Sequence, residues 1–167
     1  TYGLVYVYNT KTNSWRPGTS IPSPTGLNFG GFTISGDTIV YLCGTSSFGS
    51  STLYNTIYVG VISQTDRSNI TWTTGTVFPG TTRSFFEANT WKNGIIMTGG
   101  SSNNSLSSYS DECYTYDLSS QNWSQLPDKP TQWVTGQSNS VRMPNGEWKL
   151  FCMSGYGSTG YLYEVEI

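Results

Sequence analysis

A set of aromatic and glycine markers returns about every fifty residues and limits what this chain can fold into. Tyr8-NTKTNS-Trp15 and Tyr116-DLSSQN-Trp123 each hold six residues between the two aromatics. Between them, Ile57–Ile62 and Ile70–Trp72 read as the same pair of strands joined by a longer connection, SQTDRSN. Trp15, Trp72 and Trp123 fall 57 and 51 residues apart. A second series of markers is a Gly turn: Ser35-Gly36-Asp37, Lys92-Asn93-Gly94 and Pro144-Asn145-Gly146. Asn-Gly is a strong hairpin signal, because both residues tolerate positive φ. After each turn comes an apolar run closed by Gly: IVYLCG, IIMTGG and WKLFCMSG. Consecutive apolar residues suit a strand buried on both faces.

Together these markers define a four-strand unit, a to d. Strand a precedes the Gly turn, b is the apolar run, c carries alternating Tyr and d opens near Trp. Residues 1–26 supply c and d of a first unit, 27–83 a second and 84–133 a third. Residues 134–167 supply a, b and c of a fourth, with YLYEVEI as its last strand. A four-stranded sheet repeated at this interval is the pattern of a β-propeller blade. The expected fold is therefore all-β, an incomplete ring of about three four-stranded antiparallel blades.

The residues resemble the kelch family. The third unit carries the fullest match, with Gly99-Gly100, Tyr116-Asp117 and Trp123. The first keeps Tyr8 and Trp15 but has Asn9 after the Tyr. In the second, Gly44 stands alone and Gly60 takes the Tyr position beside Trp72; the fourth has Ser154-Gly155 and no Trp element. The resemblance implies a propeller and leaves activity open. It also implies closure, since kelch-like rings often let the two chain ends share a blade. Closed rings usually have four to eight blades. The chain is thus expected to be the C-terminal half of a larger ring, completed by an upstream segment or a second chain. A homodimer forming a six-bladed ring is the runner-up, and it carries a surplus c strand in each copy.

Composition narrows the function classes. Aromatics reach 15% and charged residues only 11%, the reverse of a disordered chain. Net charge is −2 with no Lys/Arg run, which argues against nucleic acid. No apolar run approaches the ~20 residues of a membrane helix, so no membrane insertion is expected. The chain has no His, which removes Ser-His-Asp and Cys-His catalysis and imidazole metal sites. Copper radical oxidases, which resemble kelch propellers, need such His ligands. Cys43, Cys113 and Cys152 are too dispersed for a zinc spacing, and their odd number forbids a complete internal disulfide framework. Buried free thiols are expected. Among the acids, Glu87 on an inner strand is the one placed to face a central channel. No cofactor or metal is implied.

Binding is the economical reading. In a propeller of this kind the b–c and d–a loops gather on one face, and here they are long, polar and aromatic. Loops on a rigid scaffold commonly carry recognition, and Tyr, Ser, Gly and Asn make adaptable contacts. Phe48, Tyr54, Arg83, Tyr109, Trp133 and Tyr156 are the expected ligand-facing side chains. Arg83 stands where kelch repeats often place an Arg, and pairing between blades is the role weighed against ligand contact for it. The expected function is a protein- or glycan-binding or scaffolding module. The alternative is part of a carbohydrate-active oxidase or epimerase whose catalytic groups lie in the missing blades. Sequons at Asn69, Asn103 and Asn122, two of them in expected turns or loops, lean towards an extracellular or cell-surface glycoprotein.

Overall fold

The computed structural model describes residues 3–25, 27–163 and 165–167. Expectations that fall on Thr1, Tyr2, Gly26, which closes the first unit, and Glu164 in the last strand lie outside the described residues. Among the described residues every regular element is a strand. β1 (Val5–Asn9) and β2 (Ser14–Gly18) form a hairpin. β3 (Gly31–Ser35), β4 (Thr38–Leu42), β5 (Ile57–Ile62) and β6 (Ile70–Thr74) make a four-stranded antiparallel sheet in chain order. β7 (Glu87–Trp91), β8 (Gly94–Thr98), β9 (Cys113–Asp117) and β10 (Asn122–Leu126) repeat it. β11 (Gln137–Arg142) and β12 (Trp148–Met153) begin a further sheet; a small hairpin, β13 (Tyr156–Gly157) with β14 (Gly160–Tyr161), interrupts it before β15 (Val165–Glu166). β3 packs beside β7 and β7 beside β11, so the first strands of three sheets stand side by side. This is a β-propeller segment, and its sheets do not close into a ring.

The aromatic markers pair in register. Tyr8 lies opposite Trp15, Tyr116 opposite Trp123 and Gly60 opposite Trp72. With no side chain at Gly60, the Trp72 ring settles over the backbone, where an added Cβ would come within 2.6 Å of it. Asn9 and Asp117 also prove equivalent. Asn9 Oδ1 accepts the N–H groups of Lys11 and Thr12, and Asp117 Oδ1 those of Ser119 and Ser120. Either side chain closes the turn by bonding its own backbone.

Each of the two seated tryptophans then reaches out of its own sheet. Trp72 Nε1 donates to Thr19 O at 2.9 Å, and Trp123 Nε1 to Thr76 O at 3.0 Å. Both acceptors lie just beyond the last strand of the preceding sheet. Between the two complete sheets lies the main core, where Val40, Leu42 and Ile57 meet Phe78, Phe86, Ile95, Met97, Tyr114 and Tyr116.

Two details differ from the sequence reading. At Lys92-Asn93-Gly94 the left-handed residue is Lys92 (φ 51°), while Gly94 opens β8. Its missing side chain serves close approach, because a Cβ there would collide with the Tyr116 carbonyl. The final strand is also shorter than YLYEVEI suggests. Gly160–Tyr161 fold back onto Tyr156–Gly157, and among the described residues Val165 and Glu166 alone pair with β12.

The indole bonds are testable one at a time. Trp123→Phe keeps a ring but removes the donor to Thr76, and should cost about 1 kcal/mol. Trp123→Ala should cost about 3 kcal/mol or more, because it also empties the space against Phe78, Tyr114 and Tyr116. Urea unfolding midpoints of the two variants measure the difference.

Candidate functional site

The loops that leave each second strand and those that enter each first strand meet at one end of the sheets. A pair of left-handed residues starts each of the former: Cys43-Gly44 (φ 56° and 91°), Gly99-Gly100 (73° and 104°) and Ser154-Gly155 (57° and 122°). The glycine at the second position lets the neighbouring sheet come close. Gly44 N–H donates to Arg83 O at 3.2 Å and Gly100 N–H to Trp133 O at 2.9 Å. Arg83 and Trp133 therefore occupy equivalent positions, and both are buried, at 2% exposure.

Arg83 binds inward. Its Nη2 pairs with the Glu112 carboxylate, Nη1 donates to Gly99 O and Ser110 Oγ, and Nε donates to Thr81 O at 3.0 Å. It thus ties two loops of its own sheet together through its side chain and meets the preceding sheet through its carbonyl. The Trp133 ring lies between Gly99 on one side and Gly136 and Gly155 on the other, with Lys129 Nζ 5.0 Å from its centre.

The remaining candidates separate into two aromatic groups. Phe48, at 69% exposure, stands over Phe29 and Phe85, with ring centres 5.8 and 6.2 Å away. Phe29 and Phe85 were not anticipated from the sequence. Both have positive φ, 56° and 57°, as does Thr135 at 53°. Thr135 N–H donates to Phe85 O and Phe85 N–H to Phe29 O, at 3.0 and 2.9 Å, so these residues chain the three sheets together beside their first strands. The second group is Tyr109, Tyr156 and Tyr161, with successive ring centres 6.2 and 5.5 Å apart. Tyr109 is fixed by its hydroxyl, which donates to Leu106 O at 2.6 Å. Tyr54 is half-buried, and its N–H donates to Gly44 O at 2.8 Å.

Beside Tyr109 lies a hollow of about 340 Å³, bordered by Thr81, Ser102, Ser108, Ser110, Asp111 and Asp128, with the Arg83–Glu112 pair below. Its lining is hydroxyl and carboxylate against one aromatic wall, which suits hydrogen bonding more than acid–base chemistry. Asn104 was also missed. It is buried with φ 54°, and its Nδ2 donates to Ser47 O and Ser50 O, both at 2.9 Å, clipping one loop to the loop of the preceding sheet.

Glu87 sits half-buried in β7. Burial pushes its pKa above the ordinary carboxylate value, against the opposing pull of the Ser138 backbone N–H. The folded state therefore holds this proton more tightly than the unfolded chain. Its stabilising contribution is full at acid pH and is lost as pH rises through the folded pKa. Glu87→Gln should accordingly raise the urea midpoint at pH 7 and leave it nearly unchanged at pH 4.

All three cysteines are free and buried. Burial pushes the Cys43 and Cys152 thiols up to about 12 and raises Cys113 as well. Because the thiolate is the nucleophile, iodoacetamide at pH 8 should leave all three unmodified in the native protein and alkylate all three in denaturant, as counted by mass. Asn69, Asn103 and Asn122 are all exposed.

No family model and no curated protein matches this sequence. Among solved structures the chain is similar to one described as "Structure of YjhT", with 13% identity and a TM-score of 0.74 over 98% of its length. The chain spans 48% of that structure's chain. At this identity the likeness is one of fold.

Proposed function

We propose that this chain is a kelch-like propeller module that binds a protein or glycan ligand through its loop face, outside the cell or at its surface. The hollow beside Tyr109 carries the reading. It joins a fixed aromatic wall to hydroxyls and two carboxylates, and the wall continues over Tyr156 and Tyr161. A ligand with hydroxyl or amine donors along one edge and an apolar face on the other fits such a surface, as the C–H face and hydroxyl edge of a sugar ring do. The loops are anchored from below by Arg83, Trp133 and Asn104, so the surface is held in place before a ligand arrives. The exposed sequons at Asn69, Asn103 and Asn122 support a secreted glycoprotein.

A panel of neutral and amino-sugar oligosaccharides, with Tyr- and Lys-containing peptides alongside, tests the reading by calorimetry. Binding is expected from at least one class, weakened tenfold or more by Tyr109→Ala and by Asp111→Asn. Absence of binding across the panel, or binding indifferent to both substitutions, overturns it.

A further inference from the structure

Charge is divided between the two ends of the sheets. Of the eight basic residues, Lys11, Arg16, Arg67, Lys92, Arg142 and Lys149 lie in or beside the turns opposite the loop face, or reach those turns through ion pairs. Arg83 and Lys129 alone stand at the loop end, and both are buried and engaged. The Arg83 guanidinium pairs with Glu112 and donates to Gly99 O, Ser110 Oγ and Thr81 O. Lys129 Nζ lies 3.0 Å from Glu166 Oε2 and 5.0 Å from the centre of the Trp133 ring. Neither cation is free to neutralise anything on the surface above it.

Asp111 and Asp128 border the hollow beside Tyr109, and among the described residues neither forms an ion pair. The hollow therefore carries two uncompensated carboxylates above a salt bridge that is already complete. All its walls come from residues 81–128, in the loops around the β7–β10 sheet, which has a neighbouring sheet on each side. Its volume, about 340 Å³, falls at the small end of ligand cavities. Tyr109 holds its ring in place by donating its hydroxyl to Leu106 O, which leaves the ring as an apolar wall. Thr81, Ser102, Ser108 and Ser110 supply four hydroxyls around it. A lysine side chain entering here would satisfy the carboxylates but set bare methylenes against those hydroxyls, and polar groups left unpaired on desolvation cost affinity. A sugar ring meets both kinds of wall, with C–H groups on the tyrosine and hydroxyls on the serines. An amino sugar adds the positive charge that the two aspartates lack.

We infer that the ligand of this hollow is a glycan with free amino groups, a hexosamine chain whose ammonium faces Asp111 and Asp128. The inference rests on the loop-face reading and narrows it to one ligand class. Tyr109 and the hydroxyls accept a sugar of the right shape, and the two aspartates select the charged one. Charge-assisted hydrogen bonds from an ammonium to a carboxylate are roughly twice as strong as neutral ones. N-acetylation of the sugar removes that charge while keeping the ring and its hydroxyls, so it separates the two contributions. Asp128 is a surface side chain, and Asp128→Asn keeps its shape while removing its charge.

Calorimetry with a β-linked glucosamine oligomer, its N-acetylated counterpart, a glucose oligomer of the same length and a Lys-containing peptide tests this. The glucosamine oligomer should bind about tenfold more tightly than either neutral oligomer. Added salt should narrow that difference. Asp128→Asn should erase it, with the urea midpoint unchanged as proof of an intact fold. Equal binding of the amine and N-acetyl forms, an amine preference that survives Asp128→Asn, or a peptide that binds more tightly than the glucosamine oligomer each overturns the inference. Binding of a neutral oligomer or of the peptide that Tyr109→Ala and Asp111→Asn still weaken would then leave the loop-face reading standing. Absence of binding across all four ligands removes both.

Discussion

Each sheet here has two faces to bury and, among the described residues, no helix to bury them against, so its neighbour must serve. That contact is fixed by a bond that crosses the boundary, an indole N–H donating to a backbone carbonyl of the preceding sheet. Apolar burial supplies most of the stabilisation but has no preferred direction. The indole bond adds direction, because it is satisfied only when the two sheets stand at one offset. Val40, Leu42, Ile95 and Met97 can then interdigitate behind it.

The second anchor of the assembly is backbone strain accepted beside the first strands. Phenylalanine and the β-branched Thr135 avoid positive φ in isolation. Phe29, Phe85 and Thr135 nonetheless adopt it, and in that conformation Thr135 passes its N–H to the Phe85 carbonyl and Phe85 its N–H to the Phe29 carbonyl. The Cys43-Gly44, Gly99-Gly100 and Ser154-Gly155 pairs do the complementary work from the other side of each loop junction. Strain of this kind persists only where the surroundings over-determine it.

The repeat made the fold legible because its markers are local. A Tyr and a Trp with six residues between them on a tight turn pair across it, and their recurrence exposes the sheet period directly. The b–c and d–a loop ends were legible too, since they follow from strand order. What escaped was anything that depends on the neighbouring sheet. Arg83 and Trp133 read as ligand contacts because they sit in polar loops, yet both are swallowed by packing that no local pattern encodes. Asn104 read as one more loop residue in an Asn- and Ser-rich run. Phe29 and Phe85 left a faint signal, two phenylalanines at matching places ahead of their first strands, within segments too divergent to align by eye. The end of the fourth sheet was read too long because YLYEVEI alternates as a strand should, while Gly160 turns its first part back on itself.

Asn104 has a bearing on how such a surface changes over generations. Its amide is held by the carbonyls of Ser47 and Ser50, so two loops that are far apart in sequence behave as one mechanical piece. An insertion in either would pull the amide from its partners and displace both walls together. Diversification on this face is therefore channelled towards exchanging side chains at exposed positions such as Phe48, with loop length kept constant.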